Sequence, residues 1–540
     1  MPGGPYVTSL GHAGLRIEND HVRVLADPWF AERGAFLASW FPFPDNSHVR
    51  TPSLQDVDVV SISHEHLDHL DLDLVAALPE HVPVVVPRYP STILERRLRG
   101  TGHERVVVLD AWERYPLSDH EDWMTVIPEV CPMTHDAAVL FHVGGRVVLH
   151  CNDARISLAQ VRRAMVETGR GVDFMAVQMS GASWHPVVYE YEGGDRARIE
   201  EVKRVGKFKA VTRLVRSVAP GMVVPYAGPP CFLDDDLFEH NPRLHTPGDG
   251  TGPDGGGEGI FPGQDQAVAW LRDRLPDQPS TYLLPGDVYD AATGQVSRDP
   301  QWTGFRLDAP PTERRAYLEA YAARRRGAIQ EVWRNHPVPA DDDTLAQDFR
   351  RHFEHLGRLS SYFLARAGLT VRFEVLGPGG GTWDAHIGPD RMEVDLDGTA
   401  QTVDYRIRVE GRWLAGVVAG RIRWEELLLS LRFSARREPD LYNDYLVGLL
   451  KHADLEALRA IEAYELRRSH GDLITVRDGD RAVRIGRYCP HGTEDLSETG
   501  VVRDGVLRCL GHNFEFDLTT GECLNARCDP LEIERATVPV

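Results

Sequence analysis

Hydrophobic and polar positions alternate with a period of two through the first thirty residues, in YVTSL, LRIE and VRVLADPWF. Strands with one buried face read this way. The runs VDVVSIS (57–63) and VPVVVP (82–87) are largely apolar and β-branched, which predicts buried strands. FHVGGRVVLHCND (141–153) predicts a hairpin turning at Gly144-Gly145. Residues 194–218 predict a helix rich in charge, and MVVPYAG (222–228) a further strand. Strands with interspersed helices over about 230 residues predict an α/β sandwich.

Beyond it the period changes. Residues 311–366 predict helix, clearest in TERRAYLEAYAARRRGAIQEVW, and 369–435 return to strands in LTVRFEVLG, RMEVDLDG and QTVDYRIRVEG. A helix is predicted over 440–468, and 471–540 form a tail of short strands and turns. The expected domains are 1–305 (α/β), 306–468 (α+β) and 469–540 (all-β). The glycine-rich stretch 245–259 is read as loop, because no strand leads directly into it and no helix immediately follows, as a phosphate cradle requires.

Several domains are expected in any case, since 540 residues exceed what one core supports. The net charge of −21 argues against a nucleic-acid partner and suits a basic electron-transfer partner. The opening MPGGPYVTSLGHAGL lacks the pattern of a signal peptide, and no run of about 18 apolar residues predicts a membrane span. Seven cysteines, an odd number, point to reduced or metal-bound thiols and a cytoplasmic location.

Four of those cysteines lie in the tail, which reads CPHGTEDLSETGVVRDGVLRCLGH from Cys489. Cys489 and His491 are spaced C-x-H, Cys509 and His512 C-x-x-H, with 17 residues between the pairs. Thiolates and imidazoles suit zinc or iron–sulfur, but C-x-H departs from the zinc knuckle. The pattern resembles the Rieske domains. That implies a [2Fe–2S] cluster with Cys489 and Cys509 on one iron and His491 and His512 on the other. The first cluster loop, GTEDLS, has no cysteine, so the resemblance is to the lower-potential, oxygenase-type cluster rather than the disulfide-bearing kind. Asn513 stands where many Rieske sequences have glycine. Cys523 and Cys528 are read as ordinary buried thiols.

Directly after VDVVSIS comes SHEHLDH, with His64, His66, Asp68 and His69 in the spacing H-x-H-x-D-H. Strand alternation points His64 and His66 the same way, and Asp68 and His69 can face them. The motif resembles the metallo-β-lactamase fold, which implies an αββα sandwich. The same resemblance makes Asp27 an orienting carboxylate, Asp153 a carboxylate bridging two metals, and His135 a further ligand. It gives His12 a place among the lactonase-like members. The final histidine of that fold is missing, with Ala227 at its place, and His185 is the candidate substitute.

A metallo-β-lactamase fold alone implies hydrolysis by a metal-bound hydroxide. A one-electron relay in the same chain implies oxygen activation at iron with open positions. The architecture resembles the family of CMP-N-acetylneuraminic acid and UDP-N-acetylmuramic acid hydroxylases, in ASWFPFPDNS (38–47), SGASWHPVVY (180–189), VVPYAGPPCFLD (223–234) and LRFSARREPDLYNDYL (431–446). The resemblance implies non-heme iron (mono- or dinuclear), dioxygen as co-substrate, and conversion of N-acetyl to N-glycolyl on a nucleotide sugar. It implies electrons from an external reductase through a ferredoxin-like carrier, since no flavin or nicotinamide fingerprint occurs. The departures are His135 and His185, which make the ligand set richer than the family's. The middle region resembles a sterol-carrier-like module. Three alternatives stay open: the same chemistry on another small metabolite, a zinc lactonase or phosphodiesterase with a regulatory redox domain, and a Rieske electron-transfer protein with a degenerate scaffold. The basic run KRVGKFKAVTRLVR (203–216) is the candidate for binding a diphosphate, or else a solvated helix face.

Overall fold

The computed structural model describes residues 4–180, 183–191, 195–244, 259–467, 472–491, 494–510 and 513–534. Two compact units emerge: Met1–Val130, Thr134–Ala182 and Ala197–Glu331; and Cys131–Met133, Ser183–Arg196 and Val332–Val540.

The first unit is built on two sheets. One has eight strands in the order Gln295–Ser297, Val288–Asp290, Tyr6–Gly11, Gly14–Glu18, Arg23–Ala26, Val59–Ser61, Val84–Pro87, Val106–Leu109. The other has six, in the order Met222–Tyr226, Phe174–Gln178, Arg146–His150, Ala137–Val143, Trp123–Pro128, Tyr115–Pro116. Val7, Ile17, Val24 and Val85 of the first sheet share one core with Val126, Phe141, Val148 and Phe174 of the second. Alternation then sends Val84 and Val86 to the opposite face, where they meet Leu74, Val75, Leu94 and Leu98 of the covering helices. On the far side Leu149, Met175 and Val177 pack with Val161 and with Phe208, Val211 and Val215 of the helix Asp195–Val218. This is the expected αββα order of layers. The predicted hairpin pairs Val143 with Arg146, and Gly144 and Gly145 take φ values of 56° and 68°, which two-residue turns of this hand require.

The second unit holds a five-stranded sheet ordered Met392–Asp395, Gly381–Ile387, Thr370–Leu376, Tyr405–Glu410, Phe433–Arg437, antiparallel except at the pairing of Thr370–Leu376 with Tyr405–Glu410. The tail contributes the hairpin Leu473–Asp478 and Arg481–Gly486 and the three-stranded sheet Gly500–Arg503, Val506–Cys509, Glu515–Asp517. Tyr442–Asn443 pairs with Ala526–Arg527, so the helical region and the tail share main-chain bonds.

Two expectations change. The predicted helix over 440–468 is two helices, Asp444–His452 and Leu455–Arg467, parted at Ala453, whose φ of 44° no helix continues through. The helix Pro311–Asn335, expected to open a middle domain, belongs over most of its length to the first unit. There Tyr317 Oη accepts from the Asp45 amide at 2.9 Å, and Tyr321 is buried near Phe41. Of the glycine-rich stretch 245–259, all but Gly259 lies outside the described residues.

Candidate metal centre

The parallel strands Arg23–Ala26 and Val59–Ser61 end side by side and deliver the first residues of the site. Asp27 follows one of them with φ 44°, its amide bonded to the Ser61 carbonyl at 2.9 Å. Its carboxylate accepts from the Ser63 amide (2.7 Å), the Ser63 hydroxyl (2.6 Å) and His69 Nδ1 (3.0 Å). Ser63 Oγ lies 2.8 Å from His64 Nδ1. Since Ser63 donates to Asp27, His64 donates to Ser63. In both rings Nδ1 is thereby engaged and Nε2 is the nitrogen turned inward. The loop ends on Asp71, which accepts the Leu74 amide and starts the helix Leu72–Ala77.

The inward atoms form two groups. His12, Asp68 and His69 bring one ligand atom each to within 4.8 Å of one another, as do His64, His66 and Asp153. His69 Nε2 and Asp153 Oδ1 link them at 3.4 Å. Asp153 is held by the hairpin strand Arg146–His150 through Asn152, whose side-chain amide donates to the Ala137 carbonyl and whose carbonyl oxygen accepts the Asp153 amide. His12 lies beside Ala227, which occupies the place of the missing final histidine. The Ala227 amide bonds the His12 carbonyl at 3.0 Å, and the His12 ring reaches Asp68 Oδ2 at 3.0 Å.

Two buried atoms here, His12 Nδ1 and Asp68 Oδ1, have no hydrogen-bond partner, and His69 Nε2 and Asp153 Oδ1 meet at 3.4 Å outside good hydrogen-bond geometry. Buried polar atoms without partners are rare and costly, and such a convergence fits cations. The charges agree. Burial alone would raise the carboxyls of Asp27, Asp68 and Asp153, yet the surrounding histidines hold all three below the ordinary carboxylate range. Burial would depress His69, yet the charges of Asp153 and Asp68 lift it well above the usual imidazole value. Burial, then the charge of His69, lowers His64. The pocket demands positive charge, and its hard nitrogen and oxygen donors suit iron or zinc.

His135 and His185 do not join these groups. His135 Nδ1 meets Glu65 Oε1 at 3.2 Å, and the ring stacks on Tyr89 at 5.0 Å. The next residue, Asp136, comes instead to His64 Nε2, 3.7 Å away. Sequence reasoning missed it; the signal was a carboxylate directly ahead of the strand Ala137–Val143. His185 belongs to the second unit, where its Nε2 lies 2.7 Å from Tyr191 Oη and 2.9 Å from Arg437 Nη2. A guanidinium on that nitrogen is incompatible with a metal on the same atom.

The tail has a different character. Cys489 and Cys509 are completely buried among Ile485, Leu507, Phe514 and Phe516. Burial, then the neighbouring Cys509, pushes the Cys489 thiol far up. His491 Nε2 lies 3.1 Å from Asp444 Oδ2, which leaves Nδ1 as the nitrogen suited to iron. His512 lies outside the described residues. Asn513 has φ 59°, a left-handed conformation that glycine and asparagine tolerate best, which explains the exchange of one for the other. Its carbonyl accepts from Asn525 Nδ2 at 2.9 Å. Cys523 and Cys528 are half-buried rather than buried, and hydrogen bonding from Cys528 brings the Cys523 thiol down to about 7. Among the described residues no helix is long and apolar enough to cross a membrane.

Comparison with known proteins agrees with this geometry. Residues 6–158 match the model of the beta-lactamase superfamily domain, and residues 450–533 that of the Rieske [2Fe-2S] domain. A Mycolicibacterium smegmatis protein described as a Rieske 2Fe-2S iron-sulfur protein is 28% identical over 98% of this chain and 99% of its own length. Cytidine monophosphate-N-acetylneuraminic acid hydroxylase of Danio rerio is 25% identical over 41% of this chain and 38% of that protein. The solved structure of CmlA, a diiron β-hydroxylase from Streptomyces venezuelae, is 18% identical over 55% of each chain, with a TM-score of 0.34. The histidine- and aspartate-lined pocket and the buried cysteine pair thus fall within two recognised folds: the chain joins a beta-lactamase superfamily domain to a Rieske [2Fe-2S] domain.

Proposed function

We propose that the protein is an iron-dependent hydroxylase that uses dioxygen and receives electrons through its own Rieske domain. The observation that carries this is the pairing of two donor sets in one chain, the N/O pocket and the Rieske domain. A hydrolase has no use for a one-electron relay, whereas dioxygen chemistry at iron requires one. His64, His66 and Asp153, with Asp136 at the edge, hold one metal position; His12, Asp68 and His69 hold the other. Iron bound there supplies the redox chemistry of oxygen activation. Asp27 and Ser63 engage Nδ1 of His69 and His64, so that Nε2 of each ring is the nitrogen offered to a metal. At the other centre Cys489, His491, Cys509 and His512 hold the cluster, and an external reductase with a ferredoxin-like carrier feeds it. The relative from Danio rerio is named for hydroxylation of a nucleotide-linked sugar. On that basis the substrate is a nucleotide sugar, oxidised at its N-acetyl methyl.

The deciding experiment supplies UDP-N-acetylmuramic acid, ¹⁸O₂ and a reductase to the iron-loaded protein. The expected product is heavier by one labelled oxygen. Label entering from water instead removes the hydroxylase reading. A second reading, a zinc hydrolase with a redox-regulated tail, is favoured by the beta-lactamase superfamily match alone; zinc rather than iron in the native N-terminal site would establish it.

A further inference from the structure

The helix Asp195–Val218 sorts the basic run 203–216. Lys209 and Arg216 are exposed, and Arg204 Nη1 donates to the Gly259 carbonyl. Lys207 turns inward and donates from Nζ to Gln178 Oε1 at 2.5 Å. Gln178 closes the strand Phe174–Gln178, which runs parallel to Arg146–His150 on one side and Met222–Tyr226 on the other. His150 pairs with Ala176, and Asp153 follows His150 by three residues. Gln178 and Asp153 therefore leave the same edge of the sheet, where the carboxyl ends of parallel strands gather and ligands bind in folds of this kind.

The charges acting on Lys207 are those of Arg155, Asp153, Glu129 and Asp136. Among the described residues, none of the three carboxylates forms an ion pair with it. Asp153 and Asp136 are turned to the histidines. Glu129 accepts from Thr134 Oγ1 and the Arg155 amide, both at 2.6 Å, and burial with the nearby Asp136 pushes it up to about 7. Lys207 is thus a partly buried ammonium, held by a neutral amide, with two of its three donors unassigned.

We propose that Lys207 is the anion-recognition residue of the N-terminal site: its ammonium binds an oxyanion of the substrate, a carboxylate or a phosphate, and holds it beside the two metal groups. Arg155, exposed at the rim and two residues beyond Asp153, adds a second cation. The inference deepens the proposed function by stating what the substrate must carry, and it rests on that reading only in requiring that a substrate enters this pocket.

The test is calorimetric binding of inorganic phosphate and of acetate to the full-length, metal-loaded chain. Lys207→Gln is expected to weaken binding about tenfold or more at unchanged metal content, and Lys207→Arg to stay within a few-fold of the parent. Gln178→Glu places a carboxylate against the lysine and should weaken binding as Lys207→Gln does, without removing the lysine. A larger loss for phosphate assigns a phosphate group, and a larger loss for acetate a carboxylate; either upholds the proposal. Unchanged binding in both Lys207→Gln and Gln178→Glu overturns it, the metals then being the whole anion site. Because binding is read without turnover, zinc in the pocket together with lysine-dependent binding would remove the hydroxylase reading and leave this one standing.

Discussion

The two metal-binding regions are held together by opposite means. In the N-terminal pocket polar partners stand behind three of the ligands: Asp27 and Ser63 behind His69 and His64, and Asn152 behind Asp153. In the tail, Cys489 and Cys509 sit in an apolar core of Ile485, Leu507, Phe514 and Phe516, with Asp444 set against His491. Hard ligands carrying full charges must be oriented by hydrogen bonds. Thiolates are positioned well enough by packing. One region is consequently tuned by electrostatics and the other by shape.

Substitutions at the ligands separate the two regions most sharply. His66→Ala should abolish turnover and empty the N-terminal site while preserving the rhombic EPR signal of the reduced cluster. Cys509→Ser should do the reverse, erasing the EPR signal while N-terminal iron, counted by metal analysis, remains. If either substitution removes both metals, the regions are not independent and the contrast fails.

A smaller effect is expected one step back from the metals. Asp27→Asn keeps the shape of the carboxylate but not its charge, and should weaken N-terminal metal affinity by about 10–100-fold in a chelator competition. The same variant sharpens the electrostatic side through pH. The folded-state pKa of Asp27 lies below its unfolded value of 3.8. The stability it contributes is therefore complete above that value and is lost as pH falls through the lower folded one. Urea unfolding of the first unit should show this acid loss in the parent and a flatter profile in Asp27→Asn.

The smallest effect tests the shape side. Asn513→Gly should leave cluster-domain stability nearly unchanged. Asn513→Val should cost about 1–2 kcal/mol in thermal unfolding, since a β-branched residue resists a left-handed backbone. Equal behaviour of the two would mean that the backbone at 513 relaxes on substitution.

What could be read in advance was whatever sits within a few residues. H-x-H-x-D-H after a buried strand, C-x-H with C-x-x-H, and Gly144-Gly145 are local patterns, and local geometry decides where their side chains point. Which of His135 and Asp136 meets His64 depends on where the strand Ala137–Val143 begins, about 70 residues from the motif it joins. The surroundings of His185 are equally remote in sequence: Arg437, far along the chain, meets its Nε2. His12 is legible, but its placement beside Ala227 depends on the pairing of its carbonyl with the Ala227 amide across more than two hundred residues. The break at Ala453 carries no glycine or proline to announce it.

Asp27 reaches the two metal groups at once, bonding His69 directly and His64 through Ser63. A cation that settles on either ring draws on the same carboxylate and stiffens the anchor of the other. Occupation of one position should thereby lower the ordering entropy left for the second, and metal titration of the metal-free protein is expected to show cooperative filling with few half-loaded molecules.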